Sequence, residues 1–373
     1  MRILIVQRSL RPPGGGNAVA AWMVHALAGQ HAVGTLTTSS WSVADTNAFY
    51  GTAIPDRAVT RYVVPTPWSW LSGLQEDYLT RLRMCSVLRS ARTLASEYDV
   101  LVTADNFAAF PKPGIQYVHF PAHLQPKPAR LPLLVDGYFA LCDALLGAPW
   151  TDAATNLTLV NSRWTAERLE TIGEVGVTSV LYPPVLDPGE GLGWADRDDT
   201  FLCVGRFHES KRIELAISIV RRVRATAIPK ARLVIVGSSV TAGYISYLQR
   251  LAADLDWIEF REDLSRQDLN ALMGRAKYGI QGMIGEHFGM ATAEMTRAGC
   301  LVFAHDSGGT PEVLNRERAL LWTTDDEAVS RIEAVAAGPV DALRMRLRQH
   351  SEQFSTGHFV EQFRRIVETA AVR

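Results

Sequence analysis

Short runs of β-branched and aliphatic residues alternate along this chain with longer stretches whose apolar positions recur every three or four residues. That alternation predicts parallel strands covered by helices. In the first half, Arg2–Gln7 reads as the opening strand, Ala18–Ala28 as its helix and Ala32–Thr37 as the next strand. Strands follow at Val59–Val64, Val100–Thr103, Gln116–Val118, Thr158–Val160 and Ser179–Leu181, with helices over Gln75–Glu97 and Leu133–Leu146. Tyr182-Pro183-Pro184-Val185-Leu186-Asp187-Pro188-Gly189 interrupts the pattern, because three prolines can continue neither element. Beyond it the alternation restarts. Strands are expected at Phe201–Val204, Leu233–Val236, Ile258–Phe260, Tyr278–Gln281 and Leu301–Ala304, with a short sixth at Leu320–Trp322. Helices are expected at Ile213–Arg224, Ala242–Asp254, Arg266–Gly274 and Met290–Arg297. The final segment, Thr356–Ala371, carries an apolar stripe at Phe359, Phe363, Ile366 and Val367 that has to dock on something.

The expectation is two doubly wound α/β domains, residues 1–185 and 186–355, with the helix of residues 356–373 packing back on the first. Ligands of such sheets bind outside the carboxyl ends of the strands, so function is sought in the loops that follow strands.

Composition narrows the classes. A chain of 373 residues is long enough for two cores without disulfides or a structural metal. With 38 basic against 39 acidic side chains there is no basic field to replace phosphate counterions, so no nucleic-acid partner is expected. Cys85, Cys142, Cys203 and Cys300 lie far apart and suggest reduced thiols. The opening strand is too short for a signal sequence, and no run of 18 apolar residues occurs. A cytoplasmic protein is expected, with peripheral membrane contact left open by the proline- and aromatic-rich segments Pro65–Leu71 and Pro111–Pro132, which could equally fold over the first domain or line a ligand groove.

Four segments carry candidate chemistry. Gly14-Gly15-Gly16-Asn17 lies between the first strand and its helix, where glycine lets backbone approach a ligand. The spacing departs from G-x-G-x-x-G, with Val19 where the last glycine would stand, so a dinucleotide site is not indicated. A plain turn with an Asn17 cap is the alternative. Gly205-Arg206-Phe207-His208-Glu209-Ser210-Lys211-Arg212 follows the first strand of the second half. Arg206 and Lys211 there could hold a diphosphate, or could be solvated loop charges beside a Ser210 cap. It is no P-loop. In Gly285-Glu286-His287-Phe288-Gly289-Met290-Ala291-Thr292-Ala293-Glu294, two carboxylates flank a helix N-terminus. Glu294 sits among apolar residues, where a carboxylate without a partner would be costly. His119, in Tyr117-Val118-His119-Phe120-Pro121, ends a strand of the first half, with Asp105 and Asn106 after the preceding strand. The acidic pairs Asp196/Asp198 and Asp254/Asp256 fall in the linker and at a helix end, poor places for a catalytic metal.

Gly285–Gly289 through Glu294 resembles the E-x7-E signature of the family-4 retaining glycosyltransferases, two-domain enzymes of the GT-B fold. The Gly14–Gly16 loop, Y-V-H-F-P, N-S-x-W at Asn161–Trp164, G-R-F-x3-K, the Y-P-P linker and Ser307-Gly308-Gly309-Thr310-Pro311-Glu312 are similar to that family in kind and order. E-H-F-G with H-D-S-G-G is most similar to the α-mannosyltransferases that use GDP-mannose. The resemblance implies an N-terminal acceptor domain and a C-terminal donor domain. Its partners would be a nucleotide-sugar donor and a sugar, lipid-linked or small-molecule acceptor, with no metal or other cofactor. It also implies roles: Arg206 and Lys211 on the departing diphosphate, Glu286 on the donor sugar's hydroxyls, Glu294 on the ribose. The backbone of His287, Phe288, Gly289 and Met290 would hold phosphate and sugar, Gly15 and Gly16 would approach the donor phosphate, and His119 would lie near the reacting carbon. Retention would come from same-face attack, without a covalent nucleophile. A nucleotide-sugar epimerase or hydrolase of the same fold, or a catalytically silent sugar-nucleotide-binding module, are the competing readings.

Overall fold

The computed structural model describes residues 1–64, 76–120, 132–147, 150–173, 175–189, 191–238 and 242–372. The chain divides into two compact units, Met1–Pro184 with Thr356–Arg373, and Val185–Ser355. Each is a parallel sheet wound in both directions from a central strand.

In the first unit the strands are β1 (Arg2–Val6), β2 (Ala32–Thr37), β3 (Val59–Val63), β4 (Val100–Thr103), β5 (Ile115–Val118), β6 (Leu157–Val160) and β7 (Ser179–Val180). They lie in the order β3-β2-β1-β4-β5-β6-β7, all parallel. Ile3–Val6 are fully buried, as a central strand covered on both faces must be. The helices are α1 (Gly15–Leu27), α2 (Val43–Tyr50), α3 (Glu76–Leu94), α4 (Pro132–Leu146) and α5 (Arg163–Ile172). Neither α2 nor α5 is among the helices expected from periodicity, yet both have serine caps: Ser42 Oγ accepts from Asp45 N at 3.2 Å and Ser162 Oγ from Thr165 N at 3.0 Å.

The second unit repeats the plan with β8 (Asp198–Val204), β9 (Arg232–Gly237), β10 (Ile258–Glu262), β11 (Ala276–Gln281), β12 (Leu301–His305) and β13 (Leu321–Trp322), in the order β10-β9-β8-β11-β12-β13. Its helices are α6 (Ile213–Thr226), α7 (Ala242–Leu251), α8 (Arg266–Arg275), α9 (Met290–Arg297), α10 (Thr310–Val313), α11 (Asp325–Ala337) and α12 (Asp341–Ser351). A core of Phe201, Leu233, Ile280, Phe303 and Trp322, with the apolar face of α6, fills the unit. Both sheets reverse winding direction beside their first strand, between β1 and β4 and between β8 and β11. Loops diverge there and leave a crevice, the usual ligand position of such sheets.

The chain finally returns to the first unit as α13 (Thr356–Val372), which packs on α1. Phe359, Phe363 and Val367 of the stripe are buried, and Arg364 Nε donates to the carbonyl of Ala26 at 2.6 Å. The four cysteines are buried and free. No described helix is long and apolar enough to cross a membrane. Pro65–Leu71 and residues 121–131 of the Pro111–Pro132 segment lie outside the described residues.

Candidate active site

The β8–β11 crevice collects most of the candidate residues. Phe207 anchors the loop after β8: its ring is fully buried, and its backbone N–H donates to Ser238 O at 2.9 Å. Gly237 lets this loop close on β9, since a Cβ there would stand 1.9 Å from the Gly205 carbonyl oxygen. Arg206, just before the anchor, is exposed and forms no ion pair among the described residues. His208, rather than Ser210, caps the turn Glu209–Lys211 through Nδ1, which accepts from Ser210 N at 3.2 Å. Arg212, in the left-handed region at φ 49°, then turns the chain into α6.

Lys211 Nζ forms an ion pair with the Glu286 carboxylate on the loop after β11, and both side chains are about four-fifths buried. Each is the other's counterion. Gly282 brings the two loops together, because a Cβ there would lie 2.8 Å from the Arg212 carbonyl. The loop after β12 packs against the Glu286 loop through two more glycines. A Cβ on Gly308 or Gly309 would come within 2.2 Å of the carbonyl oxygens of Glu286 and His287, respectively. Gly309 N donates to Glu286 O at 2.7 Å, and Gly285 N to Ser307 Oγ at 2.8 Å. Glu286 is thus held by backbone on one side and by Lys211 on the other. Burial pushes the His287 imidazole below its ordinary value, partly offset by Glu286 and reinforced by Lys211. Phe288 is buried edge-to-face against Phe354. Gly289, at φ 98°, caps α9 in a conformation that disfavours a side chain. The first turn of α9, from Met290, leaves backbone N–H groups without helical partners, suited to an anion.

Glu294 has the partner its apolar surroundings demand. Arg266 Nη1 donates to Glu294 Oε1 at 2.9 Å, and the side chains are 24% and 12% exposed. Arg266 was not a candidate. The pattern Ser265-x-x-Asp268 marks the start of α8, with Ser265 Oγ accepting from Asp268 N at 3.1 Å. Nothing in the spacing, however, joins Arg266 to a carboxylate 28 positions away. The far end of α9 is tied by Arg197, whose buried guanidinium donates to the carbonyls of Ala298 at 2.6 Å and Ala276 at 2.9 Å. Arg206, Lys211, Glu286 and Glu294 therefore all lie at one end of a single sheet, two of them paired directly and a third paired with Arg266.

In the first unit, Gly14 caps α1, which opens with Gly15 and Gly16. The glycines are thus the helix's first turn, not a loop before a helix at Ala18, and Asn17 does not cap: its Nδ2 donates to Arg11 O at 2.8 Å. His119 stands beside them, its Nε2 3.3 Å from where a Cβ on Gly16 would be, so a side chain at Gly16 would press on the imidazole. Asn106, at φ 70°, accepts from the N–H groups of His119 at 2.8 Å and Phe120 at 3.1 Å. His119 Nε2 lies 2.9 Å from Ala104 O, and Asn161 Nδ2 donates to His119 O at 3.0 Å. Asp105 serves Arg8, accepting from Nε at 2.8 Å and Nη2 at 2.7 Å. The N-S-x-W segment supplies Asn161, the Ser162 cap of α5 and Trp164, which stacks on Phe120.

Residues 190–354, nearly the whole second unit, match the family described as glycosyl transferases group 1. The second unit is thus similar to the group 1 glycosyltransferases. The chain is also similar to the GDP-Man:Man(3)GlcNAc(2)-PP-Dol alpha-1,2-mannosyltransferases of Dictyostelium discoideum and Homo sapiens. The first is 27% identical over 237 residues, 56% of this chain and 46% of that protein. The second is 25% identical over 206 residues, 48% of this chain and 39% of that protein. The chain thus spans less than half the length of these relatives. Solved glycosyltransferases share its two-unit fold. Sucrose-phosphate synthase from Thermosynechococcus elongatus superposes with a TM-score of 0.70 at 16% identity, over 99% of this chain and 98% of that one. Anabaena HepE, solved in complex with UDP-glucose, gives 0.68 at 15%, over 99% of this chain and 100% of that one. The fold expected from the sequence, two Rossmann-like sheets of the GT-B kind, is the fold observed.

Proposed function

We propose that this chain is a retaining hexosyltransferase that moves a sugar, mannose from GDP-mannose being favoured, to a hydroxyl acceptor. The observation that carries the reading is the Lys211–Glu286 pair at the β8–β11 crevice, with Arg206 exposed on the same loop. A cation paired with a carboxylate can exchange partners: a diphosphate would take Lys211, and Glu286 would take sugar hydroxyls. Sugar transfer develops negative charge on the leaving diphosphate and positive charge on the sugar ring, and fixed groups of opposite sign lower that barrier. Arg206 and Lys211 answer the first charge and Glu286 the second, so the reading assigns no metal to the site. In the same reading Glu294, aimed by Arg266, holds the ribose, and the N–H groups from Phe288 to Met290 hold phosphate and sugar. The β-phosphate oxygen is the base for the incoming hydroxyl, and no side chain is asked to be a nucleophile. GDP-mannose is favoured because proteins similar in sequence carry that donor in their names. By the same likeness the acceptor is a glycan, soluble or lipid-linked, and association with a membrane surface belongs to the proposal.

The test is a thermal-shift panel of GDP-, UDP-, TDP- and ADP-sugars, followed by product analysis of the stabilising donor with and without saccharide acceptors. A ligand that binds only the folded state raises its apparent stability. GDP-mannose is expected to stabilise most and to yield a glycosylated acceptor. Free mannose and GDP, whatever acceptor is offered, would overturn transfer; stabilisation by UDP-sugars alone would overturn the donor.

A further inference from the structure

The first unit holds a pocket of about 620 Å³ that none of these roles uses. It lies between the loop after β1 and the segment from β2 into α2, and its walls include Arg11, Ser40, Trp41, Ser42, Asp45 and Phe49. The walls are latched to one another. Arg11 Nε and Nη2 donate to Ser40 O at 2.5 Å and Ser40 Oγ at 3.2 Å. Thr46 Oγ1 donates to Leu10 O at 3.3 Å, and buried Trp41 donates through Nε1 to Thr35 Oγ1 at 3.3 Å. Trp41 is also covered by the Arg61 guanidinium, 6.0 Å above its ring.

The chemistry of the walls is selective. Arg11 and Asp45 line one pocket, yet neither forms an ion pair with the other or with any described residue. Two serine hydroxyls, Pro12, Trp41 and the half-buried Phe49 ring complete the wall. A phosphate would gain one guanidinium and face one carboxylate, a poor exchange for its hydration. A lipid tail would desolvate charged walls. A neutral polyol fits: vicinal hydroxyls bridge a guanidinium and a carboxylate, while the C–H face of a sugar ring covers an aromatic side chain. The volume falls in the range of small-molecule sites, roughly 300–1,000 Å³. The position also suits a reactant, because the Arg11 loop runs directly into Gly14–Gly16 and so to His119, all at the carboxyl edge of the first sheet.

We propose that this pocket is the subsite for a neutral saccharide unit of the acceptor. The inference rests on the transferase reading above but is tested apart from it. Wild-type protein and the pocket variants Asp45→Asn and Phe49→Ala are examined by saturation-transfer NMR with methyl α-mannopyranoside and methyl β-glucopyranoside. GDP is present in the same tube as an independent reporter, and inorganic phosphate serves as a competitor. The expected result is saturation of at least one glycoside by the wild type, insensitive to GDP and to phosphate. It should fall at least fivefold in Asp45→Asn and Phe49→Ala while the GDP signal is retained. If Phe49→Ala loses the GDP signal through misfolding, Asp45→Asn alone decides. No glycoside saturation, saturation displaced by GDP or phosphate, or signals unchanged in Asp45→Asn would each overturn the proposal. A glycoside signal without any GDP signal would sink the donor reading and leave the pocket standing.

Discussion

Replacing Lys211 with alanine removes the cation assigned to the leaving diphosphate and also orphans Glu286, so one substitution carries two separable costs. The pair is 20% and 22% exposed. A hydrogen bond between charged groups contributes about 1.5–3 kcal/mol when well buried. Solvent reaching a fifth of each side chain lowers the expected stability loss to about 1–2 kcal/mol. For a domain of 150–250 residues each kcal/mol moves the melting temperature by about 2–4 °C, so a fall of roughly 2–8 °C is expected. Turnover should fall on the order of 100-fold, as when one fixed donor to a developing anion is lost. The double variant Lys211→Ala/Glu286→Gln separates the two costs. It deletes the orphaned charge, so it should recover at least half of the lost stability while activity stays at or below that of Lys211→Ala. Thermal unfolding and GDP release from GDP-mannose measure the two costs. Full turnover by Lys211→Ala, or no stability recovered by the added Glu286→Gln, would refute the account of this pair.

Arg266→Met should weaken GDP binding about tenfold, or about 1.4 kcal/mol, and Glu294→Gln should bring GDP and 2′-deoxy-GDP close to equal affinity; titration calorimetry giving undiminished discrimination in Glu294→Gln would end the ribose assignment. Gly309→Ala drives a methyl group onto the His287 carbonyl oxygen, 2.2 Å from the Cβ position. It should cost about 1–3 kcal/mol and most of the turnover, and a variant with wild-type melting and kinetics would show that the loop yields freely. His287 is held below its ordinary value by burial, so the unfolded chain takes up its proton first as pH falls. Its contribution to stability is present above the unfolded value near 6.5 and is lost as pH drops through the lower folded value. His25, His31 and His305 are shifted the same way. Melting temperature should therefore decline below neutral pH, and His287→Gln should shallow that decline; parallel profiles would contradict the assignment.

The winding of both sheets was legible because buried parallel strands read as unbroken aliphatic runs such as Ile3-Leu4-Ile5-Val6 and Leu233-Val234-Ile235-Val236. Helices α2, α5, α11 and α12 were not read. The caps of α2, α5 and α11 were visible in outline at Ser42-x-x-Asp45, Ser162 and Thr324-x-x-Glu327, while α12 has no side-chain cap, and the apolar stripes of all four are short or diluted by charge. Each candidate could be placed at a strand's carboxyl end from sequence. Its partner could not, because pairing at a site depends on loops from different strands. Lys211 and Glu286 are 75 positions apart and meet only because Gly282, Gly308 and Gly309 let three loops lie backbone to backbone. Arg266 escaped notice for the same reason: nothing in its own neighbourhood marks it as the counterion of Glu294.

Because α13 returns to α1, the first unit is assembled from both ends of the polypeptide, and the second is one uninterrupted insertion between them. The two crossings run side by side, Val185 N donating to Phe354 O at 2.8 Å and Val185 bridging to Ser355. A stop codon after Ser355 would therefore damage the far end of the gene product, uncovering the α1 surface that Phe359, Phe363 and Val367 shield. Residues 185–355 can be expressed as a single fragment. The other unit needs its last helix grafted after Pro184 or supplied as a peptide.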